Sequence, residues 1–100
     1  MPTINITLWI GGTATNARMA LEGAELEGWR QAPLGAGAPW THFLVYELSR
    51  GEQYRLDFSA TEPPHSTFAY AVVRPDGTVL SARGYNLPDP QLPAGVFFTP

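Results

Sequence analysis

The chain has 100 residues, 44% of them apolar and 12% aromatic, which fits a single domain over 1–100 that buries roughly two-thirds of its unfolded surface and excludes disorder. It has no cysteine, which excludes disulfides, thiolate metal sites and cysteine nucleophiles together. The net charge is −3 and every cation is an arginine; a polyanion binder needs the opposite balance, so nucleic acid is not an expected partner.

Ten prolines and ten glycines without a period favour short elements joined by many turns. Thr3–Ile10 alternates Ile4, Ile6, Leu8 and Ile10 with Thr3, Asn5, Thr7 and Trp9, the pattern of a half-buried strand. Gly11-Gly12 ends it. Strands are expected near 16–22 and 25–31, with Ala17, Met19 and Leu21 on one face of the first. A helix from Ala14 to Leu26 competes, because Ala, Met, Leu and Glu are good helix formers, and Gly23 and Gly28 weigh against it.

Pro33–Pro39 reads as a loop, since two prolines bracket two glycines. Trp40–Leu48 has apolar residues on both parities, which predicts a central strand covered on both faces or a strand crossing a corner. Ser49–Glu52 reads as a hairpin connection. Gln53–Ala60 returns to alternation, with Tyr54, Leu56, Phe58 and Ala60 inward. Glu62-Pro63-Pro64-His65 breaks the ladder, and Thr67–Val73 and Val79–Tyr85 flank Arg74-Pro75-Asp76-Gly77-Thr78, a hairpin turn in which proline presets φ and Gly77 takes the left-handed position. Three prolines mark 86–93, and 95–99 reads as a last short strand. The sum is an all-β fold, a single antiparallel β-sandwich, jelly-roll or immunoglobulin-like, of about seven to eight short strands.

Chemistry-bearing residues lack the spacing that catalysis needs. His42 and His65 are the only side chains with ordinary titration near neutrality, and no nucleophile elbow, paired-histidine zinc motif or phosphate-binding glycine loop accompanies them. Glu25 and Glu27, if strand-borne, share a face about 7 Å apart, a spacing that suits acid and base in sugar hydrolysis, but a sandwich of this size offers no deep cleft for the substrate. No catalytic residue and no cofactor is assigned. Glu62, Asp76 and Asp89 are weak calcium candidates, because calcium accepts loop carboxylates at irregular spacing. Asn5-Ile6-Thr7 is a glycosylation sequon inside a strand.

The aromatics are more informative. Trp9 stands on the polar side of its strand, where it is either a contact surface or covered by the proline-rich tail or the 33–39 loop. Trp29 shares parity with Glu25, Glu27 and Gln31, and Trp40 opens a strand beside a loop. Two of these three indoles on one surface would stack on sugar rings or anchor a protein. Phe97 and Phe98 are adjacent, so a strand sends them to opposite faces and leaves one in want of a partner.

Three stretches resemble the bacterial pre-peptidase C-terminal domain: Leu48–Leu56 with its leucine, glycine and tyrosine, Phe68–Gly77 ending in Pro75-Asp76-Gly77, and Leu92–Phe97 with a glycine before an aromatic strand. Together they cover about half the chain. The resemblance implies a jelly-roll-like, non-catalytic sandwich, accessory to secreted enzymes and binding calcium, protein or glycan; it carries over no functional residue.

The sequence therefore predicts a non-catalytic interaction or assembly module, a structural or accessory component of a bacterial or phage particle, binding a protein partner or its own copies; in the first mode to test, the terminal strand completes a neighbour's sheet edge. Trp9, Trp29, Trp40, Phe97 and Phe98 are its binding candidates. The alternatives are a carbohydrate-binding accessory module and a small proteinaceous inhibitor presenting loops 33–39 and 60–66. No apolar run approaches the ~20 residues that span a bilayer, and the N-terminus lacks the basic start and apolar centre of a signal peptide. Membrane insertion is not expected, and synthesis in the cytoplasm leaves a virion or secreted destination open.

Overall fold

The computed structural model describes residues 2–37 and 39–100. Its alternating stretches become β1 (Thr3–Gly12), β2 (Arg18–Leu21), β3 (Ala24–Glu25), β4 (Arg30–Gln31), β5 (Trp40–Ser49), β6 (Tyr54–Ser59), β7 (Thr67–Val73), β8 (Val79–Asn86) and β9 (Ala94–Phe98). They form two antiparallel sheets, one ordered β4-β5-β1-β7-β8 and the other β3-β2-β6-β9. The fold is the expected β-sandwich, with nine strands among the described residues.

Period-two spacing gives each sheet one buried face. Ile6, Leu8, Phe68, Tyr70, Val72 and Tyr85 come inward from the five-stranded sheet, and Met19, Leu21, Leu56, Phe58 and Phe98 from the other. Phe58 ties the layers together: its ring centroid lies 4.4 Å from that of Tyr70, 5.8 Å from Tyr85 and 5.9 Å from Phe68. Each fully buried Leu, Ile or Phe stabilises the fold by roughly 1.5–3 kcal/mol. At the margin, the Arg83 guanidinium lies 4.8 Å from the Tyr85 ring centroid.

Departures from the expected elements have local causes. The first short strand covers 18–21, not 16–22, because Asn16 is a clamp: its Oδ1 accepts from the Thr61 and Glu62 N–H groups and its Nδ2 donates to Thr61 Oγ1. Glu22 and Gly23 both have positive φ (51° and 82°) between the paired Leu21 and Ala24, which is the backbone of a two-residue primed hairpin turn. Residues 25–31 are not one strand, since Gly28 (φ 83°) lets the chain leave β3 and cross to β4 in the other sheet. No helix forms over 14–28. The Ser49–Glu52 connection is not a hairpin, because β5 pairs with β1 and β4, whereas β6 pairs with β2 and β9; it carries the chain from one sheet to the other. The Arg74–Thr78 turn forms as read, with Gly77 at φ 92° and the Arg74 N–H donating to the Thr78 carbonyl. In the 33–39 loop, a 3-10 turn spans Leu34–Ala36, and Ala38 lies outside the described residues.

β5 corrects a second reading. Its apolar residues on both parities do not mark a strand covered on both faces: β4 pairs only with Phe43 and His42, Val45 on the outward parity is 52% exposed, and Tyr46, on the core parity opposite Ile6, is itself 43% exposed.

Candidate interaction surface

Register places the outward residues of the five-stranded sheet. Residues directly opposite in antiparallel strands share a face, so Trp9, opposite Phe43 on β5 and Ala71 on β7, lies in a row that runs Arg30, Phe43, Trp9, Ala71, Ala82 across all five strands. The next row holds Val45, Thr7, Val73 and Val79, and the row on the other side holds Trp40, Gly11, Ala69 and Gly84. None of the residues in these rows is charged except Arg30 at the β4 margin.

The aromatic part of this face is continuous. The Trp9 ring centroid lies 5.3 Å from Phe43 and 6.1 Å from Trp40, with interplanar angles of 36° and 44°. Trp9, Trp40 and Phe43 are each half-buried, with Trp9 packed against the other two rings. Trp9 and Trp40 thus lie together on one face. Trp29 is not with them: it packs against the core cluster, and its indole N–H donates to the Leu26 carbonyl at 3.2 Å.

The two terminal phenylalanines separate as expected. Phe98 is buried and stacks on Tyr54 at 5.9 Å, whereas Phe97 is 62% exposed, with the Arg55 guanidinium 6.0 Å from its ring centroid. β9 pairs with β6 of its own chain, so the strand expected to complete a neighbour's edge fills a place in its own sheet.

The calcium candidates do not converge. Glu62, Asp76 and Asp89 stand in separate loops, and among the described residues no three His, Asp or Glu side chains gather in a group able to hold a metal. Asp76 Oδ1 accepts the Thr78 N–H and Asp89 Oδ1 the Gln91 N–H, ordinary turn-forming bonds. The Thr78 bonds hold the Asp76 carboxyl below its usual range, with a further contribution from the Arg74 charge.

The histidines likewise lack catalytic company. His42 Nδ1 lies 3.1 Å from Thr41 Oγ1, and His65 is exposed with φ 67°. Ser66 Oγ donates to the Pro63 carbonyl, and Ser81 Oγ is 2.8 Å from the Tyr70 hydroxyl. Glu25 and Glu27 are not a strand-borne pair: β3 ends at Glu25, and the Glu25 carboxylate lies 3.8 Å from Arg18. A depression of about 250 Å³ on the four-stranded sheet is lined by Arg18, Glu25, Asp57, Ser59 and Pro93 among others; its acids face arginines, with Asp57 2.9 Å from Arg55 Nε.

Phe43, Val45, Ala69, Ala71, Val73 and Ala82 are the members of the apolar face that sequence reasoning did not single out. The doubled apolar parity of β5 carries the signal, which suits a strand covered on both faces or crossing a corner equally well, and the unbroken Ala69–Val73 run carries it on β7. No protein-family model, curated protein or solved structure matches the chain.

Proposed function

We propose that the chain is a non-catalytic protein-interaction module, a structural or accessory component of a larger assembly such as a bacterial or phage particle, and that it docks through the outer face of its five-stranded sheet. The observation that carries this reading is the run of uncharged rows from β5 to β8 around Trp9, Trp40 and Phe43. An apolar patch with aromatic anchors and charges held to its margin has the composition of a protein interface core.

Sugar binding is the weaker reading of the same tryptophans. A glycan site sets polar groups beside its stacking ring, and the sheet neighbours of Trp9 in its row are Phe43 and Ala71. Partner capture from the native host with wild-type, Trp9→Ala and Arg55→Ala chains tests the proposal. Loss of a central aromatic anchor weakens binding about thirtyfold or more, while Arg55→Ala on the opposite sheet leaves capture intact. Capture that survives Trp9→Ala, or a glycan ligand that Trp9→Ala abolishes, overturns the reading.

A further inference from the structure

The apolar face is not uniform, and its asymmetry identifies the partner it fits. The β5 and β1 half carries the large side chains Trp40, Phe43, Val45 and Trp9, while the β7 and β8 half carries Ala69, Ala71, Ala82 and Gly84, with Val73 and Val79 at one end. A ridge therefore stands beside a shallow hollow at Ala82 and Gly84 on β8, while Ala71 is itself buried. Nothing lies within 4 Å of a Cβ built on Gly84, so the hollow is open at that point.

We infer that the partner is a second copy of this chain, packed face to face about a two-fold axis that runs along the strand direction between β1 and β7. The inference rests on the proposed docking face. Rotation about that axis exchanges β5 with β8 and β1 with β7 while preserving each row. It sets Trp40 over Gly84 of the second copy, Phe43 over Ala82 and Val45 over Val79, and the same contacts recur in reverse, as an isologous interface demands. An axis across the strands sets ridge on ridge instead, which leaves the hollows unfilled. The strands of the two sheets remain roughly aligned, as in face-packed sheets generally.

Area and charge agree with this occupant. The four strands that meet, about 4.8 Å apart and some seven residues long, make a face of roughly 450 Å² per partner, the size of a weak, reversible interface and smaller than the ~800 Å² of a standard one. Glu47 on β5 falls outside the rows that meet, and Arg30, at the β4 end of the Trp9 row, lies beyond the four strands that pair.

A size exchange tests the pairing by sedimentation velocity on the full chain from micromolar to millimolar concentration, with circular dichroism confirming the fold of each variant. Wild type is expected to dimerise reversibly. Phe43→Ala empties the ridge and Ala82→Phe fills the hollow; each is expected to raise the dimer Kd at least tenfold, and the double variant Phe43→Ala/Ala82→Phe, which moves the ring to the facing copy, to recover most of the loss. Ala82→Arg, on an exposed edge-strand position, supplies a second block should Ala82→Phe misfold. A chain that stays monomeric throughout, a dimer indifferent to the residue 82 substitutions, or a double variant no better than the singles overturns the inference. Host-partner capture that still depends on Trp9 in a monomeric chain leaves the interaction-module reading standing without the self-pairing.

Discussion

The outer faces of the two sheets are built from opposite materials. On the four-stranded sheet, Arg18 faces Glu25 and Arg55 faces Asp57, and the ion pairs found among the described residues both lie there. On the five-stranded sheet, the corresponding outward rows hold indoles, a phenyl ring, valines and alanines. Both faces obey the same alternation, so the contrast is not a requirement of folding; a sandwich needs one apolar face per sheet. The charged face suits contact with water, and the apolar face sets aromatic and aliphatic side chains at the exterior.

The two faces also differ in how they tolerate a methyl group. A Cβ at Gly11 would overlap the Pro39 carbonyl oxygen, whereas one at Gly95 would lie 2.6 Å from Asp57 Oδ1 and 3.3 Å from Arg55 Nε. Backbone cannot yield as the end of a side chain does. Gly11→Ala is expected to cost about 3 kcal/mol in urea unfolding, the upper range for an overpacked site, because β1 and the chain entering β5 must be pushed apart. Gly95→Ala is expected to cost less than about 1 kcal/mol, the worth of an exposed ion pair, since the Arg55–Asp57 pair can swing aside. Equal losses would break the comparison.

The smallest expected effect concerns pH. Burial raises the Tyr85 hydroxyl above the usual tyrosine value of 10.0, with neighbouring Tyr70 and Asp89 adding to the shift and Arg83 opposing it. A raised folded-state value means that the folded protein holds its proton where the unfolded chain has lost it. Stability from this group is complete below pH 10 and declines as pH rises through the folded value. The decline should be visible in urea unfolding above pH 10 and should shrink in Tyr85→Phe, while Arg55→Ala on the charged face leaves it in place.

Sheet class was legible because alternation survives without knowledge of partners: Ile4, Ile6, Leu8 and Ile10, or Tyr54, Leu56 and Phe58, announce a face whatever lies opposite. Pro75-Asp76-Gly77 announced its turn for equally local reasons. What stayed hidden was pairing. Nothing local to Ser49–Glu52 distinguishes a hairpin from a crossing, since only the distant β1, β2 and β9 decide which sheet each strand joins. The Asn16 clamp on Thr61 and Glu62 is a contact between residues far apart in sequence. Trp9 and Trp40 were recognisable one at a time; their meeting depends on the β1–β5 register and on the irregularity at Ile10 and Gly11 that brings Trp40 opposite Gly11. Trp29 misled because parity counted through Gly28 assumes a continuous strand, which the positive φ there interrupts.

Arg83 has one more implication. It sits in the inward-facing register of β8, opposite Tyr70, yet remains exposed because β8 is the last strand of its sheet. Any extended segment zipping onto that margin would roof over the guanidinium and strip its water without supplying a counter-ion, a recognised barrier to runaway strand addition. Strand-by-strand growth is thereby disfavoured at the longer free border of this sheet.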